Sequence, residues 1–391
     1  MIKDSDLKDL LDRGVDEVID RKHLESRLRK GDNLRVKLGI DPTSPDIHIG
    51  RAVQLRKLAT FQKHGHKAVF IVGDFTGLIG DTSDKESERP MLSPEQIKIN
   101  MKTYLDQAFK ILDPKKTEVH HNSTWLTGLG FGDIGRMADL FGLHEFETRE
   151  VISRRLKTGK RVSLREILYP LMQGYDSVAV KADVELGGTD QRFNLLAGRT
   201  IQPLYKQEPQ DILMASLLEG TDGRKMSSSW GNVIKLTDEP SDMFGKVMSI
   251  KDSLIINYFK LATDVSLEEI GSLELQLQRG ANPKDIKTRL AEEITSFHHS
   301  SKAAKKAKEE FEKVFSKREL PTEIPEWKIE GGSNIVDSLV NSGLAKSKSE
   351  AKRLIEQGGV SVNEKPVKDW DAEIKKGDII KFGSRKFLRI K

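Results

Sequence analysis

The sequence predicts an α/β protein built on a doubly wound parallel sheet, followed by an α-helical domain and a small α+β domain. Three observations carry that prediction. An apolar run, RVKLGI (35–40), leads through a proline-containing loop and an apolar-periodic helix over 51–63 to a second apolar run, KAVFIV (67–72). Strand, helix, strand in that order implies parallel strands joined by right-handed crossovers. A second such series follows a largely helical middle: DSVAVKADVEL (176–186) as strand, the loop GGTDQ, and a helix from about Arg192. Past residue 250 the apolar spacing turns helical, and after 333 it alternates. Two half-units of this kind form a nucleotide-binding domain whose ligand lies at the carboxyl ends of the strands.

Taken in order, residues 3–30 read as amphipathic helix ahead of the first strand. Asp252 to Leu261, Ser266 to Gln278 and a long run from Asn282 to Phe315 read as further helices. The last contains KAAKKAKEEFEK, whose lysines suit a solvated face with Lys/Glu neighbours better than an RNA-contacting stripe. LPTEIPEW (320–327), with two prolines and little periodicity, marks a linker. Two short helices, Asn334 to Ser342 and Ser347 to Gln357, then precede VSVNEKPVKDW and GDIIKFGSRKFLRIK, which read as strands. The expected division is 1–230, with a helical insertion at about 120–165, then 231–319, a linker at 320–332, and 333–391.

At 391 residues the chain exceeds one ordinary core. It carries 65 Lys+Arg against 60 Asp+Glu, and the excess is local: 13 basic and 8 acidic side chains fall in 333–391, leaving 52 of each elsewhere. A basic module suits a polyanion such as RNA, and it equally suits a solvated surface. Lys346, Lys348, Lys352 and Arg353 gather around its second helix, where phosphate contacts would supply sequence-independent affinity. The absence of cysteine excludes a disulfide framework and a thiolate metal site. The start, MIKDSDLKDLLDRGVDEVIDRK, has no apolar signal core, and no run approaches the roughly 18 apolar residues of a membrane span. A soluble cytoplasmic enzyme is the expectation.

His48 and Gly50 fall where DPTSPDIHIG (41–50) enters a helix, so backbone N–H groups and the helix dipole would face an anion. An HxG alone is a weak signal. With DPT ahead of it and KMSSS at 225–229 behind it, Lys225 and three hydroxyls become available to a pyrophosphate leaving group, whose charge such transfer requires the protein to neutralise. In ILYPLMQGYDS (167–177), Tyr169, Gln173 and Asp176 are spaced four and three apart, and a helix with Pro170 in its first turn would put them on one face. A polar stripe of that period ordinarily faces solvent. Here the segment leads into a covered sheet, and a buried aspartate beside tyrosine and glutamine suits a ligand carrying both an ammonium and a hydroxyl.

DPTSPDIHIG, GDFTGLIGD, YPLMQGYD, GGTDQ and KMSSS together resemble the bacterial tyrosyl-tRNA synthetases, class I aminoacyl-tRNA synthetases, along essentially the whole chain. Residues 333–391 resemble the small S-four type RNA-binding domain that closes many of them. The resemblance implies a Rossmann-like, HIGH-type nucleotidyl transferase domain that activates L-tyrosine with ATP and transfers it to tRNA(Tyr), working as a homodimer. It implies that Asp81, Tyr169 and Gln173 meet the substrate's α-ammonium and Asp176 its phenol, with Gln191 also against the tyrosine. Asp41, Thr43, His48, Gly50, Gly188, Asp190, Gln191, Met226 and Ser227 would hold ATP or the adenylate, and Lys85, Arg89 and Lys225 would close over pyrophosphate. Mg2+ would accompany the ATP, with no structural metal and no tightly bound organic cofactor.

Three positions depart from the family's common pattern. Arg51 stands where the second histidine of HIGH is usual, and is the cation expected to act on phosphate in its place. Ser228 replaces the lysine of KMSKS. Lys37 stands where many members carry a tyrosine that reads the substrate hydroxyl; strand alternation puts Lys37, Gly39 and Asp41 on one face, so Lys37 either reaches the tyrosine pocket or snorkels to solvent. Two rival readings remain: a tryptophanyl-tRNA synthetase, which shares the fold and both ATP motifs, and a non-aminoacylating RNA-binding protein on the synthetase scaffold.

Overall fold

The computed structural model describes residues 2–81, 91–316, 324–328, 334–383 and 386–391. The chain divides into two compact units, Met1–Asp238 with Ser249–Ile294, and Glu239–Met248 with Thr295–Lys391.

The first unit opens with α1 (Asp4–Leu11), β1 (Val15–Ile19) and α2 (Arg21–Lys30) rather than with unbroken helix. Gly14, at φ 60°, turns the chain out of α1. The alternation in VDEVI then pairs antiparallel with β6 (Asp211–Ala215), a long-range contact that overrides the helical spacing on either side. β2 (Arg35–Ile40), α3 (Ile49–Lys63) and β3 (Lys67–Val72) make the expected crossover, with β2 and β3 parallel from Arg35↔Lys67 to Ile40↔Val72. The last five residues of β3 are all buried, as in a strand covered on both faces.

Helices α4 (Thr76–Ile79), α5 (Pro94–Met101) and α6 (Tyr104–Ala108) precede β4 (Thr117–His121). Short helices α7 (Ser123–Leu126), α8 (Phe131–Ala138), α9 (Leu143–Glu147) and α10 (Glu150–Lys157) then lead to α11 (Leu164–Val180). The Glu166 side chain accepts from the Ser163 N–H at 3.0 Å at the start of α11, and because the helix begins at Leu164, Pro170 lies inside it and not in its first turn. The end of α11 also takes in residues 176–180, which the sequence suggested as strand. A short apolar run has no period of its own, and the αL residue Lys181, at φ 51°, marks the true boundary. The strand itself is β5 (Val184–Gly188), followed by α12 (Arg192–Ile201) and β6.

These six strands lie in the order β1-β6-β5-β2-β3-β4, parallel at every pairing except β1 with β6. From β2 the chain winds outward through β3 to β4 and then resumes on the other side with β5 and β6. The winding therefore reverses between β2 and β5, which opens a crevice at their carboxyl ends.

Next come α13 (Pro240–Met248), α14 (Ile255–Ala262), α15 (Leu267–Gln278), α16 (Pro283–His298) and α17 (Ser301–Phe311). The run expected over 282–315 is broken before α17, where the Ser300 side chain accepts from the Ala303 N–H and starts a new helix. In the second unit Phe244 of α13 lies against Phe311 of α17, ring centroids 5.6 Å apart. Its C-terminal part contains β7 (Glu326–Trp327), α18 (Ile335–Asn341), α19 (Lys348–Glu356), β8 (Val360–Val362), β9 (Lys365–Pro366), β10 (Ile379–Phe382) and β11 (Lys386–Ile390). The sheet order is β7-β11-β10-β8-β9, and Ile335, Leu339, Ile355, Val360, Ile380 and Ile390 form the core. β7 falls inside the expected linker and runs parallel to β11. Among the described residues no helix is long and apolar enough to cross a membrane.

Candidate active site

A cavity of ≈ 520 Å³ opens at the crevice between β2 and β5. The ends of β2 and β3 supply Gly39, Asp41 and Gly73 to its walls; α11 supplies Tyr169, Gln173 and Asp176; and Asp190, Gln191 and residues 225–228 close the far side. The four-and-three spacing of Tyr169, Gln173 and Asp176 along α11 puts these three polar residues on the one face that lines the cavity. Asp81 also lines the cavity, whereas Lys85 and Arg89 lie outside the described residues.

Asp176 is 4 % exposed and sits at the floor. Its two oxygens accept from different donors, Trp125 Nε1 at 2.8 Å and Asn122 Nδ2 at 3.2 Å. Burial pushes its pKa up to about 7, opposed by the charge of Lys37 and by these two bonds. Asn122 Nδ2 also donates to Thr76 Oγ1 at 2.8 Å, Thr76 donates to Asp41 Oδ1 at 2.7 Å, and Tyr169 donates its hydroxyl proton to Asp41 Oδ2 at 2.8 Å. One hydrogen-bonded chain thus joins Asp176 to Asp41 and Tyr169. Because the Tyr169 proton is committed to Asp41, its oxygen lone pairs remain able to accept from a cation. Burial raises Asp41 to about 6, against the bonds from Thr76 and Tyr169. Gly73 is what lets this chain close: a Cβ there would lie 2.0 Å from Asp41 Oδ1. Nothing in the sequence pattern singled out Trp125, Asn122 or Thr76. A donor-only indole close behind a strand end was the one available signal.

At the other end, His48 caps α3, its Nδ1 accepting from the Arg51 N–H at 3.3 Å. Burial, then the charges of Arg51 and Lys225, hold its pKa down at about 3, so the ring is neutral and the proton resides on Nε2. Arg51 lines the cavity, but its guanidinium braces the preceding loop: Nη1 donates to the Tyr104 hydroxyl at 2.7 Å and Nη2 to Thr43 Oγ1 at 3.0 Å. Gly50 leaves room for the ring of His48 and the sulfur of Met226, which lie 3.1 and 3.2 Å from where a Cβ would be. The two halves of the ATP signature are stitched together by Ile49 N–H to Ile234 O and Leu236 N–H to Ile47 O, both 2.9 Å. Lys225 Nζ donates to Asp190 Oδ2 at 2.6 Å. Asn232, also unremarked in the sequence, gathers the 222–232 loop by donating to Asp222 Oδ1 and Lys225 O while accepting from the Ser227 N–H.

Two residues expected at the site do not line the cavity. Gly188 ends β5 behind Asp190 and is buried. Lys37 neither reaches the pocket nor snorkels: its side chain is fully buried and ion-paired to Glu185 at 2.8 Å. Both alternatives assumed that its charge needed ligand or water, and the Glu185 carboxylate opposite it on β5 makes either unnecessary. In the C-terminal module Lys346, Lys348 and Arg353 are exposed on and beside α19. Lys348 pairs with Asp337 at 2.7 Å, and the Lys352 ammonium lies 4.4 Å from the Trp370 ring centroid.

Comparison with known proteins accords with this geometry. Residues 29–316 match the family model of tRNA synthetases class I (W and Y), and residues 335–380 match the S4 domain. A tyrosine–tRNA ligase of Carboxydothermus hydrogenoformans is 48% identical over 98% of this chain and 97% of its own length. That of Thermotoga maritima is 48% identical, over 97% and 96%. A C-terminally truncated mitochondrial tyrosyl-tRNA synthetase of Aspergillus nidulans shares the fold with TM-score 0.67 at 19% identity, over 80% of this chain and 95% of that one.

Proposed function

This chain belongs to the tRNA synthetases of class I (W and Y) and is a tyrosine–tRNA ligase acting on tyrosine, ATP and tRNA, and from that premise we propose how its residues divide the reaction. The observation that carries the proposal is Asp176, held at the floor of the cavity by Trp125 and Asn122 with lone pairs left for a phenolic hydroxyl. Asp81, the Tyr169 hydroxyl oxygen and the Gln173 side-chain oxygen take the α-ammonium. Asp41, Thr43, Gly50, Asp190, Gln191, Met226 and Ser227 border the space for ATP, with Gly188 shaping the backbone beneath Asp190. Lys37 serves the tyrosine site indirectly.

The tyrosine carboxylate attacks the α-phosphorus of ATP; the new O–P bond forms as the bridging Pα–O bond breaks and pyrophosphate leaves. No proton moves in that step, so positioning and charge stabilisation supply the catalysis. His48 donates from Nε2 to the phosphate, and Lys225 leaves Asp190 for the developing charge on pyrophosphate. Arg51 contributes to the field while holding the 41–43 loop, and Lys85 and Arg89 join the clamp on the family's pattern. Mg2+ enters with ATP, and no structural metal or tightly bound organic cofactor is required. A 3′-terminal ribose hydroxyl of tRNA(Tyr) then attacks the carbonyl carbon of the adenylate; the ester C–O bond forms as the acyl–phosphate C–O bond breaks, and the hydroxyl proton passes to the departing AMP.

Residues 1–230 would perform this chemistry, and 231–319 and 333–391, across a linker at 320–332, would hold the tRNA. Lys346, Lys348, Lys352 and Arg353 would meet its phosphates. A cytoplasmic homodimer completes the reading. Exposed Phe131, Leu164 and Leu168, beside an apolar cleft of ≈ 250 Å³ lined by Ile134, Met137 and Leu171, support a second copy seated on that face. ATP–pyrophosphate exchange on the purified chain, with tyrosine, tryptophan and phenylalanine in turn and no tRNA, tests the pocket. Exchange with tyrosine alone is expected, and exchange driven by tryptophan would overturn the assignment.

A further inference from the structure

Lys37 and Glu185 face each other across the parallel pair β2 and β5, one layer beneath the cavity. Their side chains are 0% and 1% exposed. All three ammonium donors have acceptors: Glu185 Oε1 at 2.8 Å, Ser177 Oγ at 2.9 Å and the Gln173 carbonyl at 3.0 Å. Glu185 Oε1 also accepts from Gln173 Nε2 at 3.0 Å, while its Oε2 accepts from Ser177 Oγ at 3.0 Å and from Gln210 Nε2.

This arrangement has two effects on the surface above it. With Nε2 of Gln173 held by Glu185, its Oε1 is the atom left to turn into the cavity, the acceptor that a bound ammonium needs. The bond to the Gln173 carbonyl then pins the turn of α11 that carries both Gln173 and Asp176. A buried ion pair is a poor way to stabilise a core, since apolar residues of like volume serve as well or better. A fully satisfied pair directly under two substrate-facing side chains has a second use.

We propose that Lys37 is a positioning and specificity-determining residue for tyrosine, its ammonium and the Glu185 carboxylate together orienting the Gln173 amide and the Asp176 turn from beneath the pocket. Where a tyrosine at this position would touch the substrate hydroxyl, lysine works through the groups that do. The inference rests on the assignment of this cavity to tyrosine.

The test compares Lys37→Met with Lys37→Met/Glu185→Gln in the full-length chain, by tyrosine- and phenylalanine-dependent pyrophosphate exchange and by thermal melting. Lys37→Met strands the Glu185 carboxylate and lowers Tm. The double variant is neutral at both places and folds, so its kinetics decide. KM for tyrosine is expected to rise about tenfold or more, and preference over phenylalanine to fall by a similar factor, with KM for ATP unchanged. An unchanged tyrosine KM and preference in the double variant would overturn the proposal, and so would KM values for tyrosine and ATP that rise together. Absence of tyrosine-dependent exchange in the unsubstituted enzyme is a distinct result, which overturns the pocket assignment and this inference with it.

Discussion

Replacing Asp176 with asparagine changes one atom and isolates the charge at the floor of the cavity. Asp176 accepts two N–H groups, from Trp125 and Asn122. An amide has one acceptor oxygen, so the variant loses one of those bonds and its anionic acceptor for the substrate hydroxyl together. A hydrogen bond to a charged group is worth about 1.5–3 kcal/mol, so kcat/KM for tyrosine should fall about tenfold to a hundredfold. Phenylalanine brings no hydroxyl and its kcat/KM should hold, so discrimination falls by the same factor. Sites that hydrogen-bond a substrate hydroxyl reject the analogue lacking it, tyrosyl synthetases being a known worked example of that rule. The fold should survive, because removing a buried charge offsets the lost donor bond. Pyrophosphate exchange at saturating and limiting tyrosine, phenylalanine and ATP provides the assay. Equal losses in the tyrosine and ATP parameters would refute the reasoning, since Asp176 reaches Asp41, on the ATP side, indirectly through Asn122 and Thr76.

The same carboxyl predicts a pH dependence: because burial raises Asp176 to about 7, its ionised form grows and tyrosine KM should fall as pH rises through that value, with phenylalanine KM flat. For stability the sign is opposite. The native state retains a proton that the unfolded chain has released above the ordinary value of 3.8, so this group's contribution declines as pH rises from there to about 7, measurable as Tm against pH. His48→Ala should lower kcat for exchange about a hundredfold to a thousandfold with tyrosine KM little changed, the loss expected of one donor to transition-state charge; a KM effect alone would count against it. Replacing Lys346, Lys352 and Arg353 together with alanine should leave pyrophosphate exchange intact, weaken tRNA binding, and flatten its salt dependence by about 0.7–0.9 in log–log slope per lost phosphate contact.

Much of this molecule is written in local pattern. The crossover β2–α3–β3, the cap at Ser347 and the short helices of the C-terminal module follow from apolar period and capping residues, each acting within a few positions. The four-and-three spacing of Tyr169, Gln173 and Asp176 placed them together on one face, and the structure brings that face to the same cavity as Asp41, His48, Asp190 and Lys225. What local pattern left open are the choices made by distant partners. VDEVI is a strand because β6, some two hundred residues on, offers an edge; Lys181 rather than any apolar residue ends α11. Lys37 looked like a residue in need of ligand or water until β5 set Glu185 against it, 148 residues away. The acceptor geometry of Asp176 depends on Trp125 and Asn122, which no periodicity marks. Sequence alone determines which faces are apolar and which segments turn, because those preferences are short-ranged. Only the tertiary structure decides which buried charge meets which donor, because that pairing is set by strand register and crossover path, and in a low-dielectric interior it alone determines whether such a charge reads a substrate or holds the residue that does.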